Sequence, residues 1–134
     1  NILAKIEANY AGADDALMLD LYGFVAETNA CNVFMITGSE LHTPFATACL
    51  PGITRNLVMT LADDLKIKCT ERNISLSEFY NADIVFTTGT MGELTPVVEI
   101  DGRKIENNSN TGVFEILKTA YRKKTESEGE QIQL

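Results

Sequence analysis

The sequence predicts a mixed α/β domain in which antiparallel hairpins outweigh βαβ units. Three observations carry that reading. Apolar residues at Ile53, Leu57, Leu61 and Leu65 recur with a helical period. The runs "NVFMIT" at 32–37 and "DIVFTTG" at 83–89 are apolar and of strand length. Gly38-Ser39 and Asp101-Gly102 sit between such runs as two-residue turn signals.

The elements follow in order. Ile2, Leu3, Ile6 and Tyr10 predict an opening helix, which Gly12 ends in a left-handed turn. "ALML" at 16–19 is a short strand, "LYG" turns the chain, and "FVAE" returns. "NVFMIT" leads through Gly38-Ser39 into "ELHT", so the first third is a meander of short strands. Residues 44–52 are a loop, and the helix from Ile53 follows. "KIKCTERNI" reads as a strand. Ser75 with Glu78 forms a capping box that opens a short helix, "LSEFYNA". After "DIVFTTG", the stretch "VVEIDGRKI" is a hairpin with a type I′ turn at Asp101-Gly102. Residues 111–124 are helical, with Phe114, Leu117 and Tyr121 on one side, and 125–134 are expected to be a mobile tail.

With 134 residues, 45% of them hydrophobic and 22% charged, the chain suits one globular domain. A net charge of −8 argues against a nucleic-acid backbone or an acidic membrane surface as partner. No apolar run approaches the length of a membrane span, and no signal peptide is visible. Cys31, Cys49 and Cys69 are odd in number and widely spaced, which suits reduced thiols in an intracellular, cytoplasmic protein. An organelle is the alternative should a targeting segment precede Asn1. The single histidine, His42, has no partners for a zinc set. The N-x-S triplets at Asn73 and Asn107 are therefore not read as glycosylation sites. The chain opens with Asn1 directly in helical sequence without a capping signal, so it is expected to be a piece of a longer protein.

Three loops have unusual chemistry. Glu27 closes the strand "FVAE" and is followed by "TNACN"; the plain alternative is a solvent-facing strand-end acid. "LPGITR" at 50–55 opens the long helix with Gly52 and Thr54 where backbone amides have no intrahelical partner, and a helix start of this kind receives anions. An ordinary helix start would look the same. "TTGTMGELTPV" ends a strand in hydroxyls and free amides that can form an oxyanion nest, or simply a polar turn. No Walker loop, dinucleotide fingerprint, nucleophile elbow or histidine pair is present. One carboxylate and two oxyanion-binding turns without a nucleophile suit gripping a phosphorylated cofactor that has a basic ring nitrogen.

Taken together, "AKIEANYAGADDALMLDLYGFVAETNACNVFMI", "LPGITR" and "TTGTMGELTPVVEIDGRKI" resemble the class IV (fold-type IV) pyridoxal-phosphate aminotransferases, most of all the branched-chain amino acid aminotransferases and their like. The resemblance covers residues 1–124. It implies an α/β fold with an irregular, barrel-like mixed sheet and flanking helices, the large C-terminal domain of the D-amino-acid aminotransferase-like fold. It also implies pyridoxal 5'-phosphate as cofactor, amino-acid and 2-oxo-acid substrates, and a homodimer. Carried over by residue, Ile53 and Thr54 hold the cofactor phosphate through their amides and the Thr54 hydroxyl, and Gly52 permits close backbone approach. Leu50 lies against the ring. Thr90, in the Gly89-Thr90 turn, supplies another phosphate hydroxyl, and Met91 and Gly92 lie near the substrate carboxylate. Glu27 matches the acid that pairs with the ring nitrogen and favours its protonated form.

No catalytic residue is assigned within the chain. The family's Schiff-base lysine falls a few residues before Asn1, and Lys5 is read as a solvated helix lysine. With the N-terminal domain also missing, the chain alone is expected to be inactive. Two departures from the family pattern bear on substrate. "NTGVFEILKTAYR" keeps only Gly112 and Val113 of a Gly-Pro-Val-Thr pattern, and "TNACN" replaces a glycine-rich stretch. The expected reaction moves an amino group from a branched-chain or similar amino acid to 2-oxoglutarate. Alternatives are an aminodeoxychorismate lyase or D-amino-acid aminotransferase of the same fold, or a non-catalytic domain binding a phosphorylated ligand.

Overall fold

The computed structural model describes residues 1–108 and 110–128. Helix α1 (Ile2–Tyr10) ends in a Schellman turn: Gly12 has φ +74°, its amide donates to Asn9 O, and the Ala13 amide donates to Ala8 O. Strands β1 (Leu17–Leu19) and β2 (Val25–Thr28) form a small antiparallel sheet in which Met18 faces Glu27. β3 (Asn32–Thr37) and β4 (Glu40–Thr43) form a hairpin, with Thr37 paired to Glu40 around Gly38-Ser39. After the 44–52 loop come α2 (Ile53–Asp64), β5 (Cys69–Glu71), α3 (Leu76–Tyr80) and β6 (Ile84–Gly89). β7 (Glu93–Pro96), β8 (Glu99–Ile100), β9 (Arg103–Lys104) and α4 (Val113–Ser127) complete the described chain.

The main sheet has the order β5-β4-β3-β6-β7. Its only parallel pair among the described residues is β4 with β5, bridged by α2 as a βαβ unit, so hairpins dominate as the sequence predicts. The α/β class with a mixed sheet and flanking helices holds, but the sheets do not close into a barrel. Its edges are β5, three residues long, and β7, which ends in Pro96 and has no amide there to offer a further strand.

One core lies between a face of this sheet and helices α2 and α4. Phe34 stacks on Phe86 at 5.3 Å, and Phe86 meets Phe114 at 5.1 Å, with Val58, Leu61 and Leu117 closing round them. The second core, on the opposite face, gathers Val25, Val33, Met35, Ile74, Phe79 and Val85. The alternation along β3 and β6 sends Phe34 and Phe86 one way and Val33 and Val85 the other.

Several expectations change at their edges. The α2 stripe Ile53-Leu57-Leu61-Leu65 is not the buried face, since Ile53 is 88% exposed and Leu65 40%. A four-residue step overshoots a helical turn, so such a stripe drifts round the axis, and the helix buries Thr54, Arg55, Val58, Leu61 and Ala62 instead. "KIKCTERNI" contributes strand only at Cys69–Glu71. "TTGTMGELTPV" is not only a strand end and turn: β7 returns along β6, pairing Gly89 with Glu93. α4 continues to Ser127, and residues 129–134 of the expected tail lie outside the described residues.

Candidate functional site

The small β1–β2 sheet delivers Glu27 to the rim of the main sheet. Its carboxylate is buried at 7% exposure. Oε2 accepts two hydrogen bonds, from the Leu50 amide at 3.2 Å and from Asn32 Nδ2 at 3.2 Å. Oε1 takes no hydrogen bond among the described residues, so one oxygen of a fixed acid stays open to a donor. Glu27 is thus not a solvent-facing strand end.

Asn32 heads β3 and is 6% exposed. Besides Glu27, its Nδ2 donates to Leu50 O at 2.9 Å, which closes a triangle of residues 27, 32 and 50. Gly52 passes directly over this amide: a Cβ at position 52 would stand 2.2 Å from Asn32 Oδ1. The close approach that Gly52 permits is therefore first of all to Asn32. Gly52 also caps α2 without a side-chain hydrogen bond, and the first amide to bond back into the helix is that of Asn56, to Gly52 O. The amides of Ile53, Thr54 and Arg55 are left for an outside acceptor. Thr54 is buried beside them, whereas the Arg55 guanidinium turns away, to Pro44 O and the Glu71 carboxylate.

The third loop joins through the sheet. Asn32 pairs with Thr88 across β3 and β6, and Gly89 packs against Cys31, where an added Cβ would be 3.1 Å from Sγ. Thr90, Met91 and Gly92 follow in the exposed turn to β7, with no hydrogen bond to Glu27 or Leu50 among the described residues. Thr88 Oγ1 is buried without a hydrogen-bond partner among the described residues. Leu50, Ile53 and Met91, from the two loops, expose 69%, 88% and 98% of their surface.

Two thiols border the site. Burial pushes Cys31 up, reinforced by Asp15 and Glu27. Burial also raises Cys49, against the opposing Arg55 charge. Both shifts disfavour the thiolate form. Lys5, on α1, donates to Asp14 O. No group of three or more metal-binding side chains occurs among the described residues.

The sequence-predicted residues Glu27, Leu50 and Gly52 come together directly, Ile53 and Thr54 flank them, and Gly89 approaches through Cys31. Asn32 was missed. The available signal was a polar residue at the head of an otherwise apolar buried run, five positions after the acid.

A family model described as amino-transferase class IV matches residues 1–100. The chain is 56% identical over 129 residues to branched-chain-amino-acid aminotransferase-like protein 2 of Arabidopsis thaliana, covering 96% of this chain and 23% of that protein. It is 47% identical over 121 residues to the branched-chain-amino-acid aminotransferase of Pseudomonas aeruginosa, covering 90% and 39%. It superposes on the branched-chain amino acid aminotransferase of Thermobaculum terrenum, solved in its PLP-bound holo form, at a TM-score of 0.86 and 34% identity, covering 95% of this chain and 42% of that one. The chain spans well under half the length of each. By the family match and by relatives of one kind, this chain belongs to the class IV aminotransferases, among those that resemble the branched-chain amino acid aminotransferases.

Proposed function

We propose that this chain is the cofactor-holding part of an aminotransferase that binds pyridoxal 5'-phosphate. The enzyme moves an amino group from a branched-chain or similar amino acid to 2-oxoglutarate. The observation that carries the reading is the hydrogen bond joining the buried Glu27 carboxylate to the amide of Leu50, at the mouth of α2. It couples an acid to an anion-receiving helix end, the two groups that a phosphorylated pyridine needs at opposite ends. The donor set fits: three unpaired amides and the Thr54 hydroxyl for a phosphate, one open carboxylate oxygen for a ring N–H, and exposed apolar side chains to cover a flat ring. The Thermobaculum terrenum relative in its PLP form supports the same cofactor.

When bound, the cofactor supplies an electron sink for the bond broken at the amino acid α-carbon. Glu27 Oε1 would accept the ring-nitrogen hydrogen bond, and a carboxylate there would favour the proton on that nitrogen. Ile53 and Thr54 fix the phosphate, while Thr90 adds a hydroxyl from the β6–β7 turn. Leu50 excludes water from one ring face. The backbone of Met91 and Gly92 orients the substrate carboxylate. The full protein works as a homodimer in the cytoplasm.

The test is Glu27→Gln in the full-length protein. Cofactor is retained, as read by its visible absorbance after gel filtration. Turnover of branched-chain amino acids with 2-oxoglutarate falls about a hundredfold or more, the scale on which one preorganised electrostatic group acts. Undiminished turnover in this variant would sink the proposal.

A further inference from the structure

We infer that Asn32 is the positioning residue of this site, whose amide binds the Glu27 carboxylate and the Leu50 carbonyl together so that the acid and the entry to α2 are set as one unit. The inference rests on the reading of these residues as a pyridoxal phosphate site.

Four observations carry it. Asn32 Nδ2 has two acceptors, Glu27 Oε2 at 3.2 Å and Leu50 O at 2.9 Å. The amide is held on its other side by Gly52, and at 6% exposure it has no solvent to turn into. Its backbone is fixed in β3 opposite Thr88. Finally, the Leu50 amide returns a hydrogen bond to the same Oε2. A glutamate has three side-chain torsions, and one bond to a loop amide leaves the carboxylate free to swing. A second donor, from a strand residue, fixes the plane of the carboxylate and hence the direction of Oε1. The 44–52 loop has no regular structure, so the same amide also fixes where α2 begins. Serine has one donor, aspartate none, and glutamine is a methylene too long for the space beneath Gly52.

Asn32 touches no substrate, so its effect passes through Glu27. The full-length protein is prepared as wild type, Asn32→Ala, Asn32→Leu, Glu27→Gln and the Glu27→Gln/Asn32→Ala pair, and loaded with pyridoxal 5'-phosphate labelled with ¹⁵N in the ring. Nitrogen NMR across pH reads ring-nitrogen protonation, and kinetics with L-leucine and 2-oxoglutarate read kcat and KM separately. Both Asn32 variants should lose the ring proton at lower pH than wild type. Their kcat should fall about tenfold to a hundredfold, as for one hydrogen bond to a charged group, with KM changing less than about threefold. The double variant should be no worse than Glu27→Gln alone. Leucine keeps the branched outline of asparagine without its donor, so it carries the test if alanine impairs folding. The inference is overturned if Asn32→Leu folds with wild-type protonation and kcat while Glu27→Gln loses both. If Glu27→Gln itself changes neither, the cofactor reading fails instead.

Discussion

Gly52 shows how a single missing carbon shapes this site. Its φ of −62° and ψ of 143° are open to any residue, so torsion does not demand glycine here. Space does, because an added Cβ would stand 2.2 Å from Asn32 Oδ1. We expect Gly52→Ala to push the Asn32 amide off Glu27 and Leu50, costing about 1–3 kcal/mol of stability in urea denaturation, as overpacking does. Gly92→Ala is the control. There the Cβ would lie 3.3 Å from the Thr95 hydroxyl, a shift of a few tenths of an ångström relieves the contact, and the cost should stay below about 1 kcal/mol. A loss at Gly92 equal to that at Gly52 would remove the steric explanation. Glu27 and Gly52 drew notice in the sequence because each stands where a regular element starts or stops, with an unexpected acid or free amides, whereas Leu50 came only with the family resemblance. Asn32 was not legible, because its partners lie 5 and 18 residues away, and no periodicity encodes contacts at that separation.

Elements ruled by local chemistry were the most legible. The box at α3 forms as the sequence predicts: the Ser75 hydroxyl accepts from the Glu78 amide, and the Glu78 carboxylate accepts from the Ser75 amide at 2.9 Å. Asp101-Gly102 has φ of 50° and 75°, the left-handed pair that a type I′ turn requires. Where burial decides, sequence reading fell short. The α2 stripe follows helical spacing, yet its first residue faces outward because the sheet lies beneath Val58 and Leu61. β7 went unseen because Glu93–Pro96 is too polar to look like a strand, and pairing with β6 alone defines it. The α3 box carries a pH signature. Hydrogen bonds from the Ser75 amide and hydroxyl, joined by Arg72, hold Glu78 down from 4.5 to about 2. A carboxyl depressed on folding adds stability above its unfolded pKa and loses it as pH falls through the folded one. Glu78→Gln should therefore lower the urea midpoint at pH 6, with the difference fading between about pH 4.5 and pH 2. Ser75→Ala should cost about 1 kcal/mol near neutrality. A Glu78→Gln deficit that persists undiminished at pH 2 would assign it to packing rather than charge.

At the scale of the whole molecule, the two cores leave α1 outside. Of its residues only Ala8 is buried, while Ile2, Leu3 and Tyr10 expose 75%, 76% and 90%. Ile2, Ile6 and Tyr10 follow at four-residue steps with Leu3 beside them, and the Schellman turn at Gly12 keeps the helix formed. A continuous apolar stripe of this size on a folded chain promotes association. Burying each large side chain is worth roughly 1.5–3 kcal/mol before the costs of association. Net charge works the other way, because copies carrying −8 repel each other until salt screens them. The two effects separate by experiment. Sedimentation velocity of the 134-residue chain at micromolar concentration should show association that strengthens from low to moderate salt, since screening removes repulsion and leaves the apolar attraction intact. Leu3→Glu together with Ile6→Glu should return the chain to a monomer at every salt concentration without changing its circular dichroism outside α1. Association that weakens with salt, or that survives both substitutions, would show that charged contacts rather than the α1 stripe hold the copies together.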